Sequence, residues 1–200
     1  MLCCYFCLRP TVAVETGVAN GKSSSFLLNA LKKNGQGRLI SIDLPTFEKD
    51  EESVSRVALI PDQKKTGWLV PEQLRELWEL RLGDARELLP QLKSEISQID
   101  YFQHDSLHTY DHMKFELDMA LEWVSPEGLI GCDDITTNKA FEESVTDKNV
   151  DLAAWIALFD VPNITGQPII SNSLTRANVQ RCRLRFLSLL KIRLSAFFKR

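Results

Sequence analysis

The sequence predicts an α/β fold, a doubly wound and mostly parallel sheet with helices on both faces. Apolar runs alternate in regular order with amphipathic stretches, the pattern of strand and helix repeats around a parallel sheet. Chemistry-bearing residues gather just after predicted strands, at the edge where open α/β sheets bind ligands. Two hundred residues with 44% hydrophobic content are enough for one domain with one sizeable core.

In chain order, strands are predicted near 11–16, 38–43, 79–83, 99–104, 128–133, 153–159 and 167–171. Helices are predicted over Ser23–Lys33, Pro71–Trp78, Ala85–Ser94, Tyr110–Val124 and Thr137–Asp147, each opening near a capping or turn residue. Residues 45–70 contain FEKDEESVSR and PDQKKTGW, too long and too charged for a simple connection, and are read as a mobile flap. The domain is expected over 1–175, followed by a tail over 176–200.

That tail carries eight Lys or Arg and no acid, whereas the preceding 175 residues hold 16 basic and 27 acidic residues, a charge of −11. An acidic body lacks the clustered positive face that phosphate-backbone binding needs, so nucleic acid is not an expected partner. Phe186, Leu187, Leu190, Leu194, Phe197 and Phe198 recur at helical spacing among the tail's basic residues. This reads as a helix docked on the domain or on a second copy of the chain, with an anionic membrane surface as the alternative. The apolar start MLCCYFCL lacks a basic region, and no run reaches the roughly 18 apolar residues of a membrane span. A cytoplasmic location is expected. Cys4 and Cys7 have C-x-x-C spacing without a second pair, so the cysteines are read as free thiols.

The segment VETGVANGKSS, residues 14–24, has the form of a strand, a glycine turn and a helix start. Glycine serves where backbone must turn sharply or approach a ligand closely, and a helix N-terminus offers unpaired N–H groups to an anionic ligand. The glycine spacing matches neither a Walker loop nor G-x-G-x-x-G. About 20 residues on, the second strand ends at Asp43, where an acid can accept hydrogen bonds from both ribose hydroxyls of an adenosine cofactor.

A second cluster follows two later strands. His104, Asp105, His108, Asp111 and His112 stand close in sequence, and GLIGCDDI ends in Asp133 and Asp134. Carboxylates at neighbouring strand ends can converge on one hard divalent cation, Mg²⁺, Mn²⁺ or Ca²⁺. A nearby histidine can act as a base near neutral pH. His112, a turn into its helix, is expected to face solvent, and Asn138 to add a carbonyl ligand or touch substrate. Helix capping is the competing reading for the acids.

With these positions in hand, the chain resembles class I S-adenosylmethionine-dependent methyltransferases, in the small-molecule branch of catechol-type and macrolide-sugar O-methyltransferases. VETGVANGKSS is similar to that family's first motif, SID at 41–43 to its ribose-binding acid, and GDARELLPQL from Gly83 to its segment beside the adenine. HDSLHTYDHM and GLIGCDDITTNKAF resemble its motifs after strands four and five. The resemblance covers about residues 12–145. It implies a seven-stranded sheet whose final hairpin, 152–172, is reversed. It also implies Glu15, Gly17, Asn20 and Gly21 around the methionine part of S-adenosyl-L-methionine, Asp43 on the ribose, and Gly83, Asp84 and Ala85 at the adenine. In metal-dependent members, acids matching Asp105, Asp133 and Asp134 hold a cation, Mg²⁺ or another divalent ion, that orients the acceptor hydroxyl, and His108 is the candidate base. The family's helices before the first strand are not represented, since only about ten residues precede it here. A truncated or misannotated product, or a lid supplied by a partner, is the corresponding expectation.

The function expected from these features is O-methylation of a small hydroxylated acceptor such as a sugar or phenol. Two rivals stand beside it: an NAD-dependent oxidoreductase, since Asp43 suits that ribose too, and a methyltransferase-like binding module without turnover.

Overall fold

The computed structural model describes residues 8–45, 60–61 and 63–147. Along them run β1 (Val12–Thr16), α1 (Lys22–Asn34), β2 (Arg38–Asp43), a 3-10 helix (Glu72–Leu77), β3 (Trp78–Leu82), α2 (Ala85–Glu95), β4 (Ile99–His104), α3 (Tyr110–Trp123), β5 (Val124–Cys132) and α4 (Ala140–Asp147). The strands form one sheet in the order β3-β2-β1-β4-β5, and every pairing in it is parallel. This is the doubly wound arrangement, for five of the seven strands expected. Segments 153–159 and 167–171, the tail 176–200, Cys3, Cys4 and Cys7, and residues 46–59 lie outside the described residues. Among the described residues no helix is long and apolar enough to cross a membrane.

Strand alternation sends successive side chains to opposite faces, and each face is covered by helices. On one face Ala13, Leu39 and Tyr101 pack with Leu27, Leu28, Ala30 and Leu31 of α1 and Leu74 of the 3-10 helix. On the other, Val14, Ile40, Ile42 and Phe102 pack with Leu89 and Leu92 of α2 and Ala120 and Trp123 of α3. Leu28, Leu31, Leu89 and Leu92 are fully buried, and each such side chain contributes about 1.5–3 kcal/mol. The start of β1 is pinned to β4 by Asp100, whose Oδ2 accepts from the Thr11 and Val12 amides at 2.7 and 3.1 Å.

Three element boundaries differ from the sequence expectation. The segment expected as a helix over Pro71–Trp78 is a 3-10 turn over Glu72–Leu77. Trp78 already belongs to the sheet, paired with Leu39, and its indole N–H donates to Ser41 Oγ at 2.9 Å. α4 begins at Ala140 rather than Thr137, because Asn138 Oδ1 accepts from the Ala140 amide at 2.8 Å and so caps the helix. β5 starts at Val124, directly after α3, and pairs with Ile99 before a register irregularity.

The order of strands sets the place of the site. β1 lies between β2 and β4, so the chain leaves β1 toward one neighbour and later returns on its other side. The crevice beyond the carboxyl ends of such strands is where open α/β sheets take ligands.

Candidate active site

Loop 17–21 after β1 is shaped by close backbone contacts. Gly17 has φ +82°, and a Cβ there would stand 1.9 Å from the Asp105 carbonyl oxygen. Its N–H donates to Ile42 O at 2.9 Å, while the Asp105 N–H donates to Thr16 O at 3.0 Å. The ends of β1, β2 and β4 are thereby drawn together at a point with no room for a side chain. Gly21 caps α1 with φ +85° and no side-chain hydrogen bond, and the first turn of α1 carries no acid. Gly67 and Val70 stand against the Cβ position of Gly21 at that end of the helix.

Asp43 connects β2 to this loop. Its Oδ1 accepts from the Val18 amide at 2.9 Å and the Ala19 amide at 3.5 Å. Its Oδ2 is buried without a hydrogen-bond partner. Burial raises the Asp43 carboxyl above the usual aspartate value, while the two amides and the Thr66 side chain oppose the rise. One oxygen builds the loop, and the other is enclosed beside the Thr66 side chain. Residues 63–70, the described end of the segment expected as a mobile flap, are tied to the same loop. Gly67 N–H donates to Ala19 O at 2.8 Å and Leu69 N–H to Asn20 O at 2.9 Å, and Trp68 Nε1 donates to Asn20 Oδ1 at 2.7 Å. A cleft of about 670 Å³ at the ends of β2 and β3 is lined by Pro45, Thr66, Trp68, Leu80 and Leu82, among others.

The remaining residues expected at the cofactor have defined positions. Glu15 is fully buried, and its Oε2 accepts from Ser24 Oγ at 2.6 Å and Ser41 Oγ at 2.8 Å. Its Oε1 has no partner, and burial raises its carboxyl. Gly83 N–H donates to Asp43 O at 2.9 Å. Asp84 caps α2, its Oδ1 accepting from the Arg86 amide at 2.8 Å. Ala85 is buried in the same turn.

On the other side of β1, Asp105, Asp133 and Asp134 lie close enough to act on one another. Burial pushes the Asp105 carboxyl up to about 8, and the neighbouring charges of Asp133, Glu15 and Asp134 add to the rise. The Asp133 amide donates to His104 O at 3.0 Å, which ties the end of β5 to β4. Among the described residues no three His, Cys, Asp or Glu side chains surround one point as metal ligands. His108 is held below the usual histidine value, first by burial and then by the charge of His104, and its buried Nε2 has no partner. Burial raises the Cys132 thiol, so it stays protonated and is no nucleophile.

Two expectations are corrected here. Asn138 is held as a structural link, since its carbonyl oxygen caps α4 and its amide donates to His108 O at 3.1 Å. His112 does not face solvent: its side chain is 12% exposed and its Nε2 lies 2.8 Å from Glu116 Oε1. Glu116 itself was not expected. It is fully buried on α3 and also accepts from Thr16 Oγ1 at 2.5 Å, His104 Nδ1 at 2.6 Å and Ser106 Oγ at 2.9 Å. Its signal in the sequence is its position: with Met113, Leu117 and Ala120 it falls on the apolar stripe of a helix.

A family profile described as "Methyltransferase domain" matches residues 14–135. No curated protein matches the sequence. Among solved structures, an O-methyltransferase from Bacillus cereus in complex with SAH shares 18% identity, with 96% of this chain and 66% of that one covered at a TM-score of 0.51. The O-methyltransferase TomG from Streptomyces achromogenes, in complex with SAM, shares 23% identity over 95% and 66% at 0.48. The methyltransferase PaMTH1 from Podospora anserina, SAH-bound, shares 15% over 72% and 53% at 0.44. The chain spans about half to two thirds of the length of these proteins. The likeness to the Bacillus cereus protein is one of fold.

Proposed function

The chain belongs to the methyltransferase-domain family, and on that premise we propose that it transfers a methyl group from S-adenosyl-L-methionine to a hydroxyl of a small acceptor. The observation that carries this reading is the placing of Asp43. One oxygen holds the glycine loop through Val18 and Ala19, and the other, buried without a hydrogen-bond partner, is the one we assign to a ribose hydroxyl. Gly17, Asn20 and Gly21 would cradle the methionine part against the start of α1, with Glu15 beneath them. The exposed Leu44 and Leu82 would offer apolar surface to the base, beside Gly83, Asp84 and Ala85.

Bound there, S-adenosylmethionine supplies an electrophilic methyl on its sulfonium. Positioning and proton handling fall to the chain. His108, whose burial disfavours its charged form, is the group to accept the acceptor's proton. A divalent cation is the finer part of the proposal. The oxygen donors of Asp105, Asp133 and Asp134 suit a hard ion, and Mg²⁺ commonly uses only one or two carboxylates and keeps several waters. The neighbouring carboxylates that add to the burial-driven rise at Asp105 are the imbalance a cation would relieve. A small acceptor as partner and a cytoplasmic setting belong to the same proposal.

Calorimetric titration with S-adenosylmethionine, S-adenosylhomocysteine and NAD⁺ tests the reading. Binding of the two sulfur compounds and not NAD⁺ is expected, and the reverse would overturn it. Methyl transfer is then assayed with labelled S-adenosylmethionine on a panel of phenols, catechols and sugars.

A further inference from the structure

The proposed function leaves unused the most completely hydrogen-bonded acid among the described residues. Glu116 is fully buried on α3, and its two oxygens are turned to different parts of the site. Oε2 accepts from Thr16 Oγ1 at 2.5 Å and His104 Nδ1 at 2.6 Å, at the ends of β1 and β4. Oε1 accepts from Ser106 Oγ at 2.9 Å, in the loop after β4, and from His112 Nε2 at 2.8 Å, one turn earlier on α3. We propose that Glu116 is a positioning residue for the transfer step, holding His104 and loop 105–108 in place through the four hydrogen bonds its carboxylate accepts.

The consequences run outward through named atoms. A carboxylate on His104 Nδ1 keeps a proton on that nitrogen and fixes the orientation of the ring. Nε2 of His104 is buried without a partner, as is Nε2 of His108, and the two rings meet edge to face with centroids 5.2 Å apart. His104 therefore meets the proposed base directly. The His104 carbonyl oxygen accepts from the Asp133 amide at 3.0 Å, and the Asp105 amide donates to Thr16 O at 3.0 Å. Asp105 and Asp133 thus hang from residues that Glu116 holds. The carboxylate touches no residue proposed to contact the cofactor, so its influence should fall on transfer and not on cofactor binding. This role rests on the proposed methyltransferase reading.

The test compares the full chain with Glu116→Gln, which keeps the shape and removes the charge. Tautomer-sensitive ¹H–¹⁵N spectra of the histidines, S-adenosylhomocysteine affinity and methyl transfer to the best acceptor of the hydroxyl panel are measured. Expected are a protonated Nδ1 on His104 in the wild type, an altered His104 signal in the variant, S-adenosylhomocysteine affinity unchanged, and kcat lowered roughly 10- to 100-fold. Unchanged kcat, or cofactor affinity falling in step with kcat, would overturn the role. A wild-type chain that binds no S-adenosylhomocysteine would instead overturn the proposed function, while the histidine spectra still decide the Glu116–His104 bond. Should the Gln variant unfold, Ser106→Ala removes the loop's own bond to Oε1 and is expected to lower kcat roughly 2- to 10-fold. No change in that variant would also overturn the role.

Discussion

Gly17→Ala is the substitution whose cost follows most directly from the geometry. The new Cβ would lie 1.9 Å from the Asp105 carbonyl oxygen, 2.5 Å from its carbon and 2.8 Å from the Ser106 nitrogen. Non-bonded atoms settle at about 3.5–4.0 Å, so the ends of β1 and β4 must part by more than about 1 Å. The Asp105 N–H to Thr16 O bond, 3.0 Å long, then leaves hydrogen-bonding range. Left-handed backbone at a non-glycine costs about 1–2 kcal/mol, a lost hydrogen bond about 0.5–1.5 and overpacking about 1–3. A destabilisation of about 3–6 kcal/mol is expected, a large part of the roughly 5–15 kcal/mol that holds a domain. Gly35→Ala is the control: Gly35 has φ +70° but nothing within 4 Å of its Cβ position, so only the backbone cost of about 1–2 kcal/mol applies. Urea denaturation followed by circular dichroism reads both midpoints, and a common slope permits their comparison. If Gly17→Ala lies within about 1 kcal/mol of Gly35→Ala, the crowding of the β1 and β4 ends is refuted.

Asp43→Asn keeps an acceptor for the Val18 and Ala19 amides and replaces the other oxygen with a donor. S-adenosylhomocysteine affinity should fall roughly 10- to 100-fold with little change in stability, and an unaltered calorimetric Kd counts against the ribose role. Glu116 gives a pH signature. Burial alone would raise its carboxyl, but hydrogen bonds from His104 and His112 hold it well below its ordinary 4.5. An acid depressed in the folded state stabilises above its unfolded value and loses that contribution as pH falls. Wild-type urea midpoints should therefore drop below about pH 4.5 more steeply than those of Glu116→Gln, and parallel curves would contradict the bond network. For the cation, Asp105→Asn should abolish any dependence of turnover on Mg²⁺ while S-adenosylhomocysteine affinity holds. Full wild-type turnover in excess EDTA removes the metal.

The parallel sheet was legible because its signals are local. Runs such as VAVET and RLISID are bounded by turns, and the structure places β1, β2 and β4 within a residue of the expected spans. Boundaries failed where a tertiary partner outweighed the local pattern. Trp78 sits in a stretch that reads as helical, yet its pairing with Leu39 and its bond to Ser41 Oγ draw it into β3. Asn138 carries the donor and acceptor that a metal or substrate contact would need, but a nearer amide and the His108 carbonyl use both.

The site divides along the same line. The place of Asp43 beside the glycine loop was legible in the sequence because one strand and one glycine loop define it, and both are contiguous. Glu116 could not be found by following strand ends, because its partners Thr16, His104 and Ser106 come from two strands and a loop. What the sequence did contain was a conflict. An acid stood at helical spacing with Met113, Leu117 and Ala120, one turn after His112. A carboxylate on a buried stripe must be paired or neutralised, and the basic partners nearest in sequence were the histidines already singled out as chemistry. The phase of α3, taken with its composition, turns His112 inward and joins Glu116 to the cluster. An acid on the apolar face of a helix beside a histidine group is therefore a stronger pointer to a site than the exposed acids around it.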